Sequence, residues 1–441
     1  MHEILDVPVW LSIPFILMLL SIALAPIFAD HWWSKNKNKL ITSLLLSIPV
    51  IIYMLSYSLS EKLFETLVFD YVPFMILLGS LFIITGGIHL SGNIKASPLN
   101  NTIFLGIGYL LASIMGTTGA AMLLIRPVIS TNQERRHTTH TILFFIGAVA
   151  NCGGLLTPLG DPPLFMLYLR GVEFTWFLHL LPEWGLTGIL LLSIYYFTDR
   201  HYYNKEEWVD IAEDMIHIEP IKITGKINFI YLALVVATVA FVNKSLIPAM
   251  GNEESNFAVK YLRELILIGI SIIAYISTPK STFEKNKFSW EPIAEVAFLF
   301  LGIFITMSPS LIYLANHATE LGITKPTHFL YASGTLSSFL DNTPTAVAFY
   351  DLAKGLVANG LPTTLANSNF VAGIPEILLK SICVGAVFFG AMTYIGNGPN
   401  FMVKSIAEEN NIKMPDFFGY MYKFSLIVLL PIYILIQLIF I

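Results

Sequence analysis

Asp161 and Asp341 each interrupt a long apolar stretch of the chain, where a carboxylate is costly. On insertion scales an acid at the centre of a membrane helix costs ~2.5–3.5 kcal/mol, so such residues mark ion or proton pathways. A carboxylate that exchanges a proton for Na⁺ is the simplest device for antiport. Neutral oxygens cluster nearby: Thr117, Thr118, Asn151 and Thr157 in the first half, then Asn342, Thr343, Thr393, Asn397 and Asn400 in the second. Such oxygens, with carbonyls freed where a helix unwinds, suit Na⁺ and H⁺ carriers, while freed amides suit anions. The set reads as an ion or substrate site, with Na⁺ near Asp341 and Asp161, Asp341 leading and Asp161 second. The expected coupling ions are Na⁺ and H⁺, with no cofactor. Each acid also has a plain reading as a helix N-cap. Asp161 precedes Pro162-Pro163, and proline suits the first helical position after a capping acid; Asp341 precedes Asn342 likewise. Capping and coupling are compatible. Asp351 is a lesser coupling candidate.

Broken helices must position these residues. Met115-Gly116-Thr117-Thr118-Gly119 interrupts one apolar stretch and Leu340-Asp341-Asn342-Thr343-Pro344 another. Glycine or proline with small polar residues at mid-segment is what a turn needs. Each interruption is followed by a second kind of break. From Gly154 and from Gly390 the chain has threonine at +3 (Thr157, Thr393), glycine at +6 (Gly160, Gly396), a side-chain carbonyl at +7 (Asp161, Asn397) and proline at +9 (Pro163, Pro399). The tips align too, Thr118-Gly119-Ala120-Ala121 with Thr343-Pro344-Thr345-Ala346. The expected helix-breaking residues are Gly116, Gly119, Gly154, Gly160, Pro162, Pro344, Gly396 and Pro399.

The setting is a membrane. Of 441 residues, 55% are hydrophobic and 12% charged, about half the ~25% charged share of soluble domains. Uncharged windows such as 7–29, 40–60 and 96–125 can cross a ~30 Å hydrocarbon core as helix. No basic patch is dense enough for nucleic acid, and Cys152 and Cys383, both in apolar segments, imply no disulfide framework. The first apolar stretch follows Met1-His2-Glu3 and Asp6, without the basic flank of a signal peptide. The composition excludes a soluble enzyme and a secreted disulfide scaffold.

Twelve segments are expected: 8–28, 40–60, 71–92, 102–128, 141–168, 175–197, 227–249, 261–278, 292–314, 328–352, 374–401 and 422–441. Lysine and arginine should gather on cytoplasmic loops. The basic loops are 29–39, 125–140, 198–226, 279–291 and 396–423, and they share a side only if 102–128 and 328–352 are re-entrant hairpins. Seventeen bases then lie inside and six outside, with Arg263 and Lys380 within segments, and both termini fall outside the cytoplasm. The expected fold is an all-α polytopic membrane protein of two inverted-topology repeats. It has about ten transmembrane helices, two re-entrant hairpins and two unwound transmembrane helices, 141–168 and 374–401. Repeat 1 covers 1–200, a cytoplasmic linker 201–226, and repeat 2 covers 227–441. Paired interrupted segments in inverted halves point to a secondary transporter site at the bilayer midplane.

Other polar residues have plainer expectations. Glu376 and Lys380, at i,i+4, should neutralise each other. Glu183, Glu264, Glu295, His89 and His179 read as interfacial, and Trp32, Trp33, Trp176 and Trp184 as an aromatic belt.

The motifs Gly116–Pro127, Asn151–Pro163, Asp341–Ala346 and Thr393–Asn400 resemble the ion transporter superfamily, which includes D-type sodium/proton antiporters, citrate carriers, arsenite-efflux pumps and divalent-anion/sodium symporters. The stretches 154–163 and 340–345 look most like sodium/proton antiporter-like members, some named citrate carriers. The resemblance implies hairpin tips that meet unwound helices around Na⁺ and substrate, commonly in a homodimer in a cell (inner) membrane. It puts Thr117, Thr118, Asp341, Asn342 and Thr343 at the tips and Thr157, Asp161, Thr393 and Asn397 in the unwound stretches. The anion symporters carry Ser-Asn-Thr at both tips. Here the first tip is Gly-Thr-Thr-Gly and the second Asp-Asn-Thr, which adds negative charge where an anion should bind. Sodium/proton exchange is therefore the leading expectation, and a Na⁺- or H⁺-coupled citrate or carboxylate carrier the alternative. That alternative needs a cation beside the substrate.

Overall fold

The computed structural model describes residues 7–441 apart from 253, 363, 364 and 366; the acidic start Met1-His2-Glu3 and Asp6 lies outside them. Among the described residues, eight helices are long and apolar enough to cross a membrane, and the protein is all-α and polytopic. In chain order, α1 (Ile13–Phe28), α2 (Asn36–Ser56) and α3 (Val72–Gly86) lead to strand β1 (His89–Asn93). Next come α4 (Pro98–Met115), α5 (Thr117–Thr131), α6 (Thr139–Ala148), α7 (Pro162–Leu169), α8 (Leu181–Tyr203), α9 (Trp208–Ile216) and strand β2 (Glu219–Thr224). The rest is α10 (Ile227–Phe241), α11 (Leu262–Ser277), α12 (Glu291–Asn316), α13 (Pro326–Phe339), α14 (Asn342–Asn359), the short strands β3 (Phe370–Val371) and β4 (Ile374–Pro375), α15 (Glu376–Phe389), α16 (Gly398–Glu409) and α17 (Leu430–Phe440).

The broken helix sits at the centre. The window within 139–156 is 89% buried, against 22% for 9–26. Accordingly α1 turns Ile13, Ile16, Leu17, Leu20 and Leu24 outward, as a helix facing lipid should. Small residues let central helices approach closely, as packing in lipid favours. A Cβ on Gly385 of α15 would lie 2.3 Å from Ser333 Oγ of α13, and one on Gly302 of α12 would lie 2.7 Å from Ser43 of α2.

α4 and α5 form a hairpin turned at Gly116, whose φ of 82° suits glycine. Asn101, in the first turn of α4, donates to Asn132, just past α5, at 2.7 Å, and Asn132 donates back at 3.1 Å. Both ends of the pair therefore lie at one face. α13 and α14 turn back at Leu340-Asp341, and Phe329 meets Phe349 edge-on at 6.0 Å.

Hydrogen bonds and ion pairs gather the basic loops on that same face. Lys39 pairs with Glu295 at 2.7 Å. Asn286 donates to the carbonyls of Gly86 and Ile88 at 2.7 Å each. Arg135 pairs with Asp199 at 2.7 Å, and Thr139 donates to Lys413 O at 3.0 Å. On the opposite face Arg170 lies 3.5 Å from Asp70, and Tyr261 donates to Val68 O.

Several expected elements differ. The segment expected at 71–92 is helical only to Gly86; β1 then pairs antiparallel with β2, His89 opposite Thr224, with a bulge between Ser91 and Asn93. The apolar run continues through Ile88 and Leu90, so hydropathy did not register the glycines that end the helix. The linker 201–226 is ordered for the same reason, as α9 and β2 dock on the hairpin's face. There Asp214 accepts from Ala96 N–H at 3.1 Å, and burial raises the pKa of its carboxyl. Helix α10 stops at Phe241 rather than 249. Lys380 pairs with the fully buried Glu183 at 2.6 Å, not with Glu376. Glu376 instead accepts from Trp176 Nε1 at 2.9 Å. Spacing along one helix identifies neighbours on that helix, but here a neighbouring helix supplies the nearer partner. Glu264 and Trp176 are likewise buried rather than interfacial. Trp184 donates to Gly153 O at 3.0 Å.

Candidate functional site

The two breaks have nearly the same backbone. After α6 a short 3₁₀ turn, Cys152–Leu156, leads to extended Thr157 (φ −143°, ψ 160°) and Asp161 (φ −147°, ψ 141°). After α15 a turn at Gly390–Met392 leads to Thr393 (φ −139°, ψ 168°) and Asn397 (φ −149°, ψ 142°). Each threonine donates to a serine carbonyl one turn before its hairpin tip, Thr157 to Ser113 O and Thr393 to Ser338 O. Each hydroxyl also accepts a backbone N–H two residues on, from Leu159 and Ile395, at 3.2 Å. The threonines thus pin each break to its hairpin instead of facing a ligand. The glycines permit the fold-back: a Cβ on Gly160 would lie 2.0 Å from Gly154 O, and one on Gly396 2.6 Å from Gly390 O. Pro162 and Pro399 open α7 and α16, and Pro344 lies in the first turn of α14, where a missing N–H costs little.

Both hairpin tips converge on Asp161. Thr117 Oγ1 donates to its Oδ1 at 2.8 Å. Asn342 Nδ2 donates to its Oδ2, and Asn397 Nδ2 to Oδ1 at 3.3 Å. Asp161 is 1% exposed, and a buried carboxylate needs such donors. Behind it, Asn397 also donates to Asn151 Oδ1 at 3.2 Å, and Asn151 donates to Asn400 Oδ1 at 2.7 Å. Asn400 holds the carbonyls of Gly390 and Thr393 at 2.8 and 2.9 Å. This amide chain ties the second break to the first.

Asp341 is placed differently. Its Oδ1 accepts from Thr343 N–H at 2.9 Å, capping α14, whereas Asp161 makes no cap bond although it precedes two prolines. Both acids precede a half-helix as an N-cap would, but only Asp341 makes the cap bond, while Asp161 accepts from both tips.

Asp161, Asp341, Thr117, Thr118, Asn342 and Asn397 line one cavity of ≈ 190 Å³, the volume of ~6 waters. Asn151, Thr157, Thr343 and Thr393 lie outside its lining. Its apolar walls come from α3 (Phe74, Leu81) and α12 (Val296, Phe300), with Phe165 of α7, and no lysine or arginine lines it. Sequence reasoning missed these walls, and it missed Ser113 and Ser338. The serines had a signal: the offset that aligns the two tips also superposes them. Chemically, the cavity offers carboxylate, hydroxyl and amide oxygens for a cation, with amide N–H groups at the tips.

A family model described as "Putative citrate transport" matches residues 4–441, nearly the whole chain. No curated protein matches it.

Proposed function

The chain belongs to the citrate transport family of that description, and on that premise we propose that it is a secondary carrier moving citrate or a similar carboxylate together with Na⁺ or H⁺. The supporting observation is the meeting of both hairpin tips on Asp161 through Thr117 and Asn342. A substrate or ion that binds there competes with both tips at once, which ties occupancy to hairpin movement. Two acids and no base line the cavity, so the organic anion needs a cation beside it. That requirement supplies the coupling. The family match reverses the order expected from sequence, in which sodium/proton exchange came first. Exchange without an organic substrate remains the second reading, favoured by the same excess of acid.

A test separates the two. Proteoliposomes carrying the purified protein and a pH-sensitive dye are challenged with citrate, Na⁺ or both. The carrier reading expects citrate-dependent dissipation of the pH gradient or citrate accumulation under a Na⁺ gradient. Dissipation by Na⁺ alone, indifferent to citrate, would replace it with the exchanger.

A further inference from the structure

A second, larger cavity, ≈ 760 Å³, opens on the face opposite the basic loops, between the end of α7, the end of α10 and the start of α11. Unlike the Asp161 cavity, it is lined by bases: Lys244, Lys260 and Arg263, set against Asp70, Glu173 and Glu264. Arg170 pairs with Asp70 at 3.5 Å. Arg263 is the unusual member. It is 9% exposed in the first turn of α11, and a buried charge must be paired. Its Nε donates to Glu264 Oε1 at 2.8 Å, and its Nη2 donates to the same oxygen. The guanidinium lies over the rings of Tyr168 and Phe165, 5.3 and 5.7 Å from their centroids. Phe165 also lines the Asp161 cavity. Phe165 therefore touches both this guanidinium and the central cavity.

We propose that the larger cavity is a waiting site for small carboxylate anions on their way to the central cavity, with Arg263 as its inner anchor. Resting on the carrier reading, this supplies what the central cavity lacks, a cation fixed in the protein to receive an anion. Guanidinium has five donors in a planar fork that matches a carboxylate. Glu264 occupies two of them through a single oxygen, and an arriving carboxylate takes its place. Lys244 stands on the same lining for the anion's other charges. Passage inward then needs the Phe165 ring to move before the anion meets the hairpin tips.

The assignment makes predictions of opposite sign for adjacent residues. In citrate transport by proteoliposomes, Glu264→Gln leaves Arg263 unopposed and lowers KM. Arg263→Gln raises KM roughly tenfold, as loss of a charge-assisted bond should; kcat stays within about twofold in both. Arg263→Lys restores part of the KM. Since Arg263→Gln alone strands a buried acid, the neutral double variant Arg263→Gln/Glu264→Gln carries the same expectation. An unchanged KM in a folded, transporting double variant overturns the proposal, and so does a KM that rises in Glu264→Gln. Vesicles of phosphatidylcholine alone are compared with vesicles containing phosphatidylglycerol. Arg263 effects confined to the latter mean that a lipid phosphate occupies the site, which also overturns it. Titration calorimetry of citrate into the detergent-purified protein separates this from failure of the carrier reading. Citrate binding that disappears in the double variant supports the waiting site even if no transport is measured. Binding indifferent to both residues sinks it.

Discussion

Asp161 and Asp341 differ in what their oxygens already do, and that decides how each responds to mutation. Asp161→Asn keeps one acceptor oxygen for Thr117 but sets an amide against Asn342, and it removes the charge to which both tips hydrogen-bond. Loss of ion-coupled citrate movement is expected in the proteoliposome assay, with a monodisperse, folded protein by gel filtration. Asp341→Asn should retain measurable coupling, because asparagine caps a helix as well as aspartate does. Asp341→Ala should lower stability by about 1 kcal/mol, read as a lower detergent melting temperature. Abolished coupling in Asp341→Asn, with Asp161→Asn intact, would reverse the assignment. The identities of these residues were legible in the sequence because a polar group in an apolar stretch stands out. Their hydrogen-bond partners were not, since whether an acid caps or accepts from a tip depends on side-chain direction. The Lys380–Glu183 pair was illegible for a related reason: its partners are far apart in the chain.

At the level of elements, glycine is what permits the two breaks. Gly160→Ala places a Cβ 2.0 Å from the Gly154 carbonyl, so the first break cannot close on itself. Severe loss of expression and of monodisperse protein is expected. Gly398→Ala, in open space at the start of α16, should be tolerated with near-normal melting, and equal damage from both would show that close approach is not the cause. The spacing of glycine, threonine and proline made both breaks readable, and the tip motifs made the hairpins readable. The pairing of β1 with β2 was hidden because the apolar run goes on past Gly86 through Ile88 and Leu90, and the partner strand lies far along the chain. Asp214 adds a separate tie beside that pairing. It ties α9 to Ala96, just before the hairpin, and a buried acid with a raised pKa binds more protons folded than unfolded. Its contribution therefore weakens stability as pH rises from the unfolded value of 3.8 through the raised folded one. Asp214→Asn should flatten the fall in melting temperature over that acid range.

For the whole molecule, the charge map placed the basic loops together, and the ion pairs of that face do the same. We propose that this face is cytoplasmic and that both termini lie on the other side. Cys152 and Cys383 are fully buried, so a maleimide that cannot cross the membrane should report on engineered cysteines with little background. Gln133→Cys should label from the cytoplasm and Ala358→Cys from outside; both labelling from one side would break the topology. The repeat itself has a further consequence. An inverted repeat with identical halves would hold its two access states at equal free energy, because exchanging the halves exchanges the states. Here the backbones of the two breaks agree while the charges do not: Asp161 is matched by neutral Asn397, and Asp341 by Gly116. For a carrier, that difference lifts the degeneracy, so the empty protein rests facing one side even without a membrane voltage. A voltage of 100 mV then tilts the balance by up to ~2.3 kcal/mol for each charge that crosses the field. In such a carrier the shape of the cycle would be shared between the halves and its electrical polarity would belong to the two aspartates.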